Sequence, residues 1–384
     1  MKRKLKVAID ASGIKSDGGI NHLNNILKFV DLSKENISKV YIWSFKESKL
    51  NFDPLLNIDH IEISSKYEFF IKRLFWQFFI LPNEKKFIEC DVVFLPAGIA
   101  FYSRKPTVLF LQNLLPFRLN EMIKYRSIKT LTRLSLVRIA QTISSHFAKS
   151  IIFPSNYSKE IILNSMFFNK DIPTYIIHHG VSYEFYSNNK TQSSIDKYSS
   201  NNPFVISYIS IIDVYKNHFN LFKAVSLLIK RDKIPIQLQF IGAAESFYAK
   251  RLVSKLIKLT NKEQWFKYIP HVKYEFLPEI YQGSNLLINA SSCESFGMSA
   301  LESLASGVPN CASKNNVYYE IFANSANYFD PLEIEDIYRS LKVVINSVSI
   351  RKELLINAKE RLKTFSWQKS SIDTFDVIRR AFYS

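Results

Sequence analysis

One pattern restricts the fold of this chain more than any other. Short apolar runs of strand type alternate with longer amphipathic stretches, and the series runs twice. Lys4–Ile9, Val40–Phe45, Asp91–Leu95, Thr107–Leu111, Ser150–Phe153 and Thr174–His178 read as the first set of strands. Phe204–Ser210, Ile236–Ile241, Trp265–Ile269, Asn285–Asn289 and a short run after Gly307 read as the second. Apolar runs bounded by turn residues and separated by helices are the mark of parallel sheets covered on both faces. The polar stretch Ser187–Pro203 between the sets reads as a linker. This predicts an α/β chain of two doubly wound domains: residues 1–186, the linker 187–203, residues 204–365, and a last helix over 366–384 that packs back on the first domain. Strand C-terminal ends are where such sheets bind ligands.

Composition narrows the function. Of 384 residues, 47% are hydrophobic and 22% charged, which is a globular balance rather than a disordered one. No apolar run reaches the roughly 18 residues of a membrane span, and the basic N-terminus reads as a first strand, not a signal peptide, because Asp10 interrupts it. Cys90, Cys293 and Cys311 cannot all pair within one chain and none lies in a Cys-x-x-Cys pair, so a reducing cytoplasm is expected. The net charge of +17 reads two ways: a partner carrying phosphates, or solvated basic faces left by a Lys-rich composition. No nucleic-acid-binding module is found, so nucleic acid is not expected as a partner.

The most informative string is Asn289-Ala-Ser-Ser-Cys-Glu-Ser-Phe-Gly-Met-Ser-Ala-Leu-Glu, continuing to Gly307-Val-Pro309. A strand ends near Asn289, a polar turn follows, and a helix is predicted from near Phe296 to near Ser306, stopped by Gly307. The N–H groups of Gly297, Met298 and Ser299 would offer an anion site. Glu294 and Glu302 flank it, and a carboxylate can accept hydrogen bonds from the adjacent hydroxyls of a sugar. Earlier in the chain, Gly18-Gly19 opens a helix after the first strand. There is no Gly-x-Gly-x-x-Gly, no Walker loop, no Gly-x-Ser-x-Gly and no Asp-x-Asp, so no metal is expected at a diphosphate.

The string closely resembles the Glu-x7-Glu signature of glycosyltransferase family 4, which has the GT-B fold: two Rossmann-like domains facing a central cleft. Gly18-Gly19-Ile20, Ile152–Glu160, His178–Val181, Asp213–His218 and Phe365-Ser-Trp367 resemble further segments of that family, with the cast of bacterial cell-surface polysaccharide enzymes. The resemblance implies a retaining, metal-independent transferase that uses a UDP- or GDP-linked sugar as co-substrate and no further cofactor. By the same carry-over, Glu302 would hold the donor ribose. Glu294 with Ser295, Phe296 and Gly297 would contact the sugar, Met298 and Ser299 would face the diphosphate, and Lys216 would offset its charge as it leaves. The base would lie near Ile269–Lys273. Two departures stand out: Ser210-Ile-Ile replaces an Arg-bearing loop, and Leu111-Gln112-Asn113 replaces a His-Asp pair. Gln112 and Asn113 can still hydrogen-bond a donor sugar.

The resemblance further implies a growing glycan of O-antigen or capsule type as acceptor, carried on a lipid. The stretch Arg118–Lys149 reads as one basic amphipathic helix, with Arg118, Lys124, Arg126, Lys129, Arg133, Arg138 and Lys149 against a single acid, Glu121. Such a helix suits an anionic membrane surface and predicts a peripheral protein on the cytoplasmic face. The Phe-rich stretch Tyr67–Leu81 is expected mostly to fill the core. Two other readings remain: a nucleotide-sugar epimerase of the same fold, or a catalytically silent partner subunit.

Overall fold

The computed structural model describes residues 3–14, 17–48, 50–99, 105–165, 167–244 and 247–383; of Asp17 and Phe247 it describes the backbone alone. The chain divides into two compact units. Unit 1 holds residues 1–118, 128–180 and 366–384, and unit 2 holds 119–127 and 181–365.

Unit 1 is a seven-stranded parallel sheet of β1 (Leu5–Asp10), β2 (Ile37–Ser44), β3 (Ile58–Glu62), β4 (Val92–Leu95), β5 (Thr107–Phe110), β6 (Ser150–Phe153) and β7 (Thr174–Ile176). Its order is β3-β2-β1-β4-β5-β6-β7. All four residues of β4, β5 and β6 are buried, as strands covered on both faces must be. The edge strand β3 was not expected. Its sequence Ile-Asp-His-Ile-Glu buries only Ile58, so it lacks the continuous apolar run that marks its neighbours. Helices α1 (Asp17–Lys28), α2 (Phe70–Phe75) and α3 (Lys85–Ile88) lie between these strands in the chain.

The single helix expected over Arg118–Lys149 is two helices. α4 (Leu119–Ile123) ends where Tyr125 and Arg126 N–H groups turn back to Met122 and Ile123 carbonyls, and Arg126 adopts the left-handed conformation at φ 47°. α5 (Ile128–Phe147) starts afresh beyond it. Of these, Leu119–Ser127 groups with unit 2. α5 buries Leu134, Ala140, Gln141, Ser144 and Ser145 and turns Leu136, Ile139, Ile143 and Phe147 outward.

The Phe-rich stretch also departs from expectation. Trp76, Gln77 and Leu81 are buried, but Phe69 and Phe79 are 73% and 62% exposed, and Ile71, Phe75 and Phe78 are exposed with them. A π-helical turn over Trp76–Ile80 turns Trp76 and Gln77 inward. α6 (Asn156–Leu163) is capped by Ser155, whose hydroxyl accepts from the Ser158 N–H.

Unit 2 is a six-stranded parallel sheet of β8 (Phe204–Ile209), β9 (Ile236–Ile241), β10 (Phe266–Ile269), β11 (Leu286–Asn289), β12 (Asn310–Ser313) and β13 (Ala326–Phe329), in the order β10-β9-β8-β11-β12-β13. Besides α4, its helices are α7 (His218–Asp232), α8 (Phe247–Lys262), α9 (Leu277–Gly283), α10 (Met298–Ala305), α11 (Asn316–Phe322), α12 (Ile334–Asn346) and α13 (Val348–Leu362). Phe204, Ile206, Tyr208, Leu238, Phe240, Phe266 and Ile288 bring strand side chains into one core with Leu221, Val225, Leu228, Leu341 and Val344 from α7 and α12. Arg351 is fully buried beneath this core; it donates to the Val344 and Ile345 carbonyls, and to Gln192 and the Ser193 carbonyl of the incoming chain.

The last helix, α14 (Trp367–Tyr383), returns to unit 1, where it packs on α1, β4, β5 and β6. Gly180 permits this. A Cβ there would lie 2.1 Å from the Trp367 nitrogen. Among the described residues no helix is long and apolar enough to cross a membrane.

Candidate active site

In both sheets the strand order reverses beside the first strand: at β1/β4 in unit 1 and at β8/β11 in unit 2. Loops leaving the two strands of such a switch point diverge and open a crevice at their carboxyl ends. In unit 2 those loops are Ser210–Asn217 after β8 and Ala290–Gly297 after β11. This is why residues 78 positions apart in sequence, Lys216 and Glu294, can meet.

The loop after β8 is built around Asp213, whose carboxylate accepts from the Val214 N–H at 2.7 Å and starts the 3-10 turn Val214–Lys216. Asn217 follows in the left-handed region, at φ 56° and ψ 30°, a conformation that asparagine tolerates better than most residues. Its side-chain amide donates to the Tyr215 and Ala290 carbonyls, both at 2.9 Å. The Ser292 N–H and hydroxyl also reach the Tyr215 carbonyl, at 2.8 and 3.2 Å. Together these bonds tie the two loops to one another.

The result is a buried ion pair. Lys216 Nζ bonds Glu294 Oε1, with the side chains 8% and 15% exposed. Two charges so far from water repay their desolvation poorly, so such a pair is weak evidence for stability. Burial, and next the Glu294 charge, hold the Tyr215 and Tyr318 hydroxyls well above the usual phenol range, so both stay neutral donors. His218 lies directly after this loop, stacked on Tyr208. Burial, and then the Lys216 charge, push its pKa down to about 3, so it is neutral at pH 7 and does not add a second cation.

α10 begins at Met298, two residues later than expected from the sequence. The cause is Gly297, which adopts φ 95° and precedes the helix; a Cβ there would meet Tyr318 at 3.2 Å. Ala300 and Leu301 N–H groups turn back to the Gly297 carbonyl. Met298 and Ser299 therefore stand ahead of the first intrahelical bond, at the positive end of the helix dipole. No acid lies in the first turn. Ser295 precedes Gly297 in the turn, and Phe296 is buried edge-on against Phe365, which anchors the turn from below.

Glu302 is only 8% exposed, not a solvated helix residue. Tyr274 donates to Oε1 at 3.2 Å and Tyr281 to Oε2 at 3.1 Å. Burial raises its pKa to about 7, against the two tyrosine bonds, which lower it. Tyr274 follows directly on Ile269–Lys273.

Gly18, Gly19 and Asn113 lie in unit 1. Gly18 and Gly19 occupy the first turn of α1. Asn113 follows β5, and its side chain accepts from the Leu115 N–H at 3.2 Å, so it shapes a local turn. Gln112 donates to the Pro96 carbonyl at 3.1 Å. Sequence reasoning did not single out Tyr215, Asn217, Tyr274 or Tyr281. It also placed Lys124 on a membrane face. In the structure Lys124 is clamped by the buried Glu121 carboxylate at 2.8 and 2.9 Å and approaches the Ser292 hydroxyl at 3.5 Å.

Two doubly wound parallel sheets, each with its own switch point, are also the plan of solved structures that align over the full chain. The Anabaena protein HepE, solved with UDP and glucose, aligns over 97% of this chain and 99% of its own, at a TM-score of 0.67 and 16% identity. WaaG, described as a glycosyltransferase involved in lipopolysaccharide biosynthesis, aligns over 97% and 99% at a TM-score of 0.71 and 13% identity. The fold is GT-B. Within this GT-B chain, residues 190–361 match the family model described as glycosyl transferases group 1. Every unit 2 residue of the candidate site except the Leu119–Ser127 segment lies inside that match. Among curated proteins, the O-antigen chain mannosyltransferase B of Escherichia coli is 23% identical over 172 residues, 45% of each chain. The chain spans less than half the length of the curated relatives it matches.

Proposed function

We propose that this chain is a retaining glycosyltransferase that moves a sugar from a UDP- or GDP-linked donor, without a metal, to a growing cell-surface glycan of O-antigen or capsule type carried on a lipid. The observation that carries the reading is the buried Lys216–Glu294 pair beside the N-terminus of α10. An ammonium group and free helix N–H groups at one switch point suit a diphosphate that gains charge as its bond to the sugar breaks. Glu294 then has two uses: it fixes the lysine, and its carboxylate can accept from sugar hydroxyls. Glu302, one helix length further on, supplies a carboxylate for the ribose. HepE binds UDP and glucose, which supports the donor class, and WaaG's part in lipopolysaccharide biosynthesis and the O-antigen mannosyltransferase support the glycan class.

The membrane part of the proposal rests on different residues from those the sequence pointed to. Lys124 is engaged by Glu121. The outward apolar rows of α5 and of Phe69–Phe79 remain, with Lys66, Lys72, Lys129 and Arg133 exposed beside them. Apolar side chains fringed by cations suit an anionic lipid surface.

The test of the reaction is direct. Purified protein is titrated with UDP and GDP in EDTA, and then assayed with UDP- and GDP-sugars on lipid-linked glycan acceptors. Binding in EDTA and transfer with retained anomeric configuration are expected. Donor breakdown to free sugar without transfer would favour the epimerase, and absence of both would favour a silent subunit.

A further inference from the structure

Glu302 presents an unusual arrangement for a ligand-binding carboxylate, because both of its oxygens are already taken by protein hydroxyls. The two hydroxyls differ in how firmly they are held. Tyr281 is 1% exposed on α9, its ring lies edge-on to Phe185 at 5.7 Å, and its hydroxyl also lies 3.2 Å from the Ser299 carbonyl in the first turn of α10. Tyr274 shares the edge-on contact with Phe185, at 5.3 Å, but belongs to a three-residue 3-10 turn with no buried residue and is itself 46% exposed, so exposure and not ring packing separates the two. The Tyr274 hydroxyl occupies Oε1 of Glu302, which is only 8% exposed.

Of the two hydroxyls, that of the half-exposed Tyr274 is the one a ribose hydroxyl would displace. Replacing a phenol hydroxyl by a sugar hydroxyl on the same carboxylate oxygen exchanges one charge-assisted hydrogen bond for another. Tyr281, buried and with its hydroxyl on Oε2, holds the carboxylate beside the head of α10.

We propose that Tyr281 is a fixed positioning residue for Glu302, and that the Tyr274 hydroxyl is a placeholder that a donor ribose hydroxyl displaces. This rests on Glu302 being the ribose carboxylate. It implies that the two tyrosines act on nucleotide affinity with opposite sign. Losing the Tyr274 hydroxyl removes a competitor and frees an acceptor, whereas losing the Tyr281 hydroxyl leaves the carboxylate less well oriented.

The experiment is calorimetric titration of wild type, Tyr274→Phe, Tyr281→Phe and Glu302→Ala with whichever of UDP and GDP binds wild type, and with its 2′,3′-dideoxy analogue. Tyr274→Phe is expected to tighten the ribonucleotide by about three- to tenfold, and Tyr281→Phe to weaken it by a similar factor, the scale of one hydrogen bond. With the dideoxy analogue both effects should fall to within about twofold, which a general structural disturbance would not produce. Changes of the same sign in the two variants, or full effects with the dideoxy analogue, would overturn the proposal. Where Tyr281→Phe compromises folding, the half-exposed Tyr274→Phe decides alone by its sign. If wild type binds neither nucleotide, or Glu302→Ala binds as wild type does, the assignment of Glu302 to ribose fails and the proposal fails with it.

Discussion

The two units solve one topological problem with different chemistry. Each places a carboxylate where its first strand or its switch-point partner ends. In unit 1 it is Asp10, the last residue of β1, 1% exposed. Gln77 donates to it at 2.6 Å and to the Ser12 hydroxyl at 3.2 Å, and the Ser12 N–H donates to it at 3.0 Å. In unit 2 it is Glu294, in the turn after β11, bonded to the Lys216 ammonium. Amide donors make the described hydrogen bonds to the first charge, with the Arg73 guanidinium close enough to feel it, and bind it into the local fold. A cation holds the second, at the end of a helix whose N–H groups lack internal acceptors. The same topology therefore yields an amide-bonded carboxylate in one sheet and, in the other, an ion pair to which the proposed function gives the departing diphosphate. Fold alone does not assign the role; the loop chemistry does.

Removing the cation is the strongest way to break this comparison. Lys216→Met should lower transfer by about 10²–10³-fold, the usual scale for deleting a preorganised group at developing charge. Asp10→Asn should leave transfer within about threefold, since Asp10 contributes an anchor and not a reacting group. Steady-state assays on both variants check the contrast, and equal losses would erase it. Asp10→Ala, which strips Gln77 and Ser12 of an acceptor, should cost about 1–3 kcal/mol of stability in denaturant unfolding while nucleotide affinity holds.

Glu302 sharpens the contrast through pH. Its folded-state pKa of about 7 lies above the ordinary carboxylate value of 4.5, with burial as the cause. The folded protein thus holds a proton that the unfolded chain has lost, so this group's contribution to stability is full below about pH 4.5 and disappears as pH rises through about 7. Glu302→Gln should therefore be the more stable protein at pH 8, on the order of 1–3 kcal/mol, with the gap closing toward pH 4.5. Thermal melts across that range check the sign. Nucleotide affinity of wild type should rise with pH through about 7, as the carboxylate proposed to accept ribose hydroxyls ionises. Glu302→Gln should lack that rise.

Gly297→Ala should cost about 1–2 kcal/mol, because a side chain at φ 95° is strained and Tyr318 must give way. The smallest effect belongs to unit 1's exposed faces. Each Lys or Arg removed from the fringe of α5 should weaken sedimentation with anionic vesicles by on the order of 1 kcal/mol, and salt should release wild type.

Strands were legible wherever burial on both faces forced an unbroken apolar run, as in Val92–Leu95 and Ser150–Phe153. β3 was not, because an edge strand with one buried residue carries no such run. The break at Arg126 was hidden because no glycine or proline marks a left-handed residue there. In the site, the spacing from Glu294 to Gly307 showed the turn and helix after β11, and the Lys216 loop was visible through its resemblance. What stayed hidden was what the carboxylates touch. Tyr274 and Tyr281 reach Glu302 from 28 and 21 residues away, across α9, and nothing in their own neighbourhoods singles them out. The outward turn of Phe69 and Phe79 was hidden for the opposite reason: aromatic residues at helical spacing ordinarily mean core.

Backbone hydrogen exchange with saturating UDP or GDP tests the central claim most directly, because it reports on the N–H groups of the proposed anion site ahead of α10. The account predicts that the amides of Gly297, Met298 and Ser299 gain the largest protection in the chain, and that Lys216→Met diminishes it. A bound nucleotide that leaves those three amides exchanging as in the free protein would contradict it.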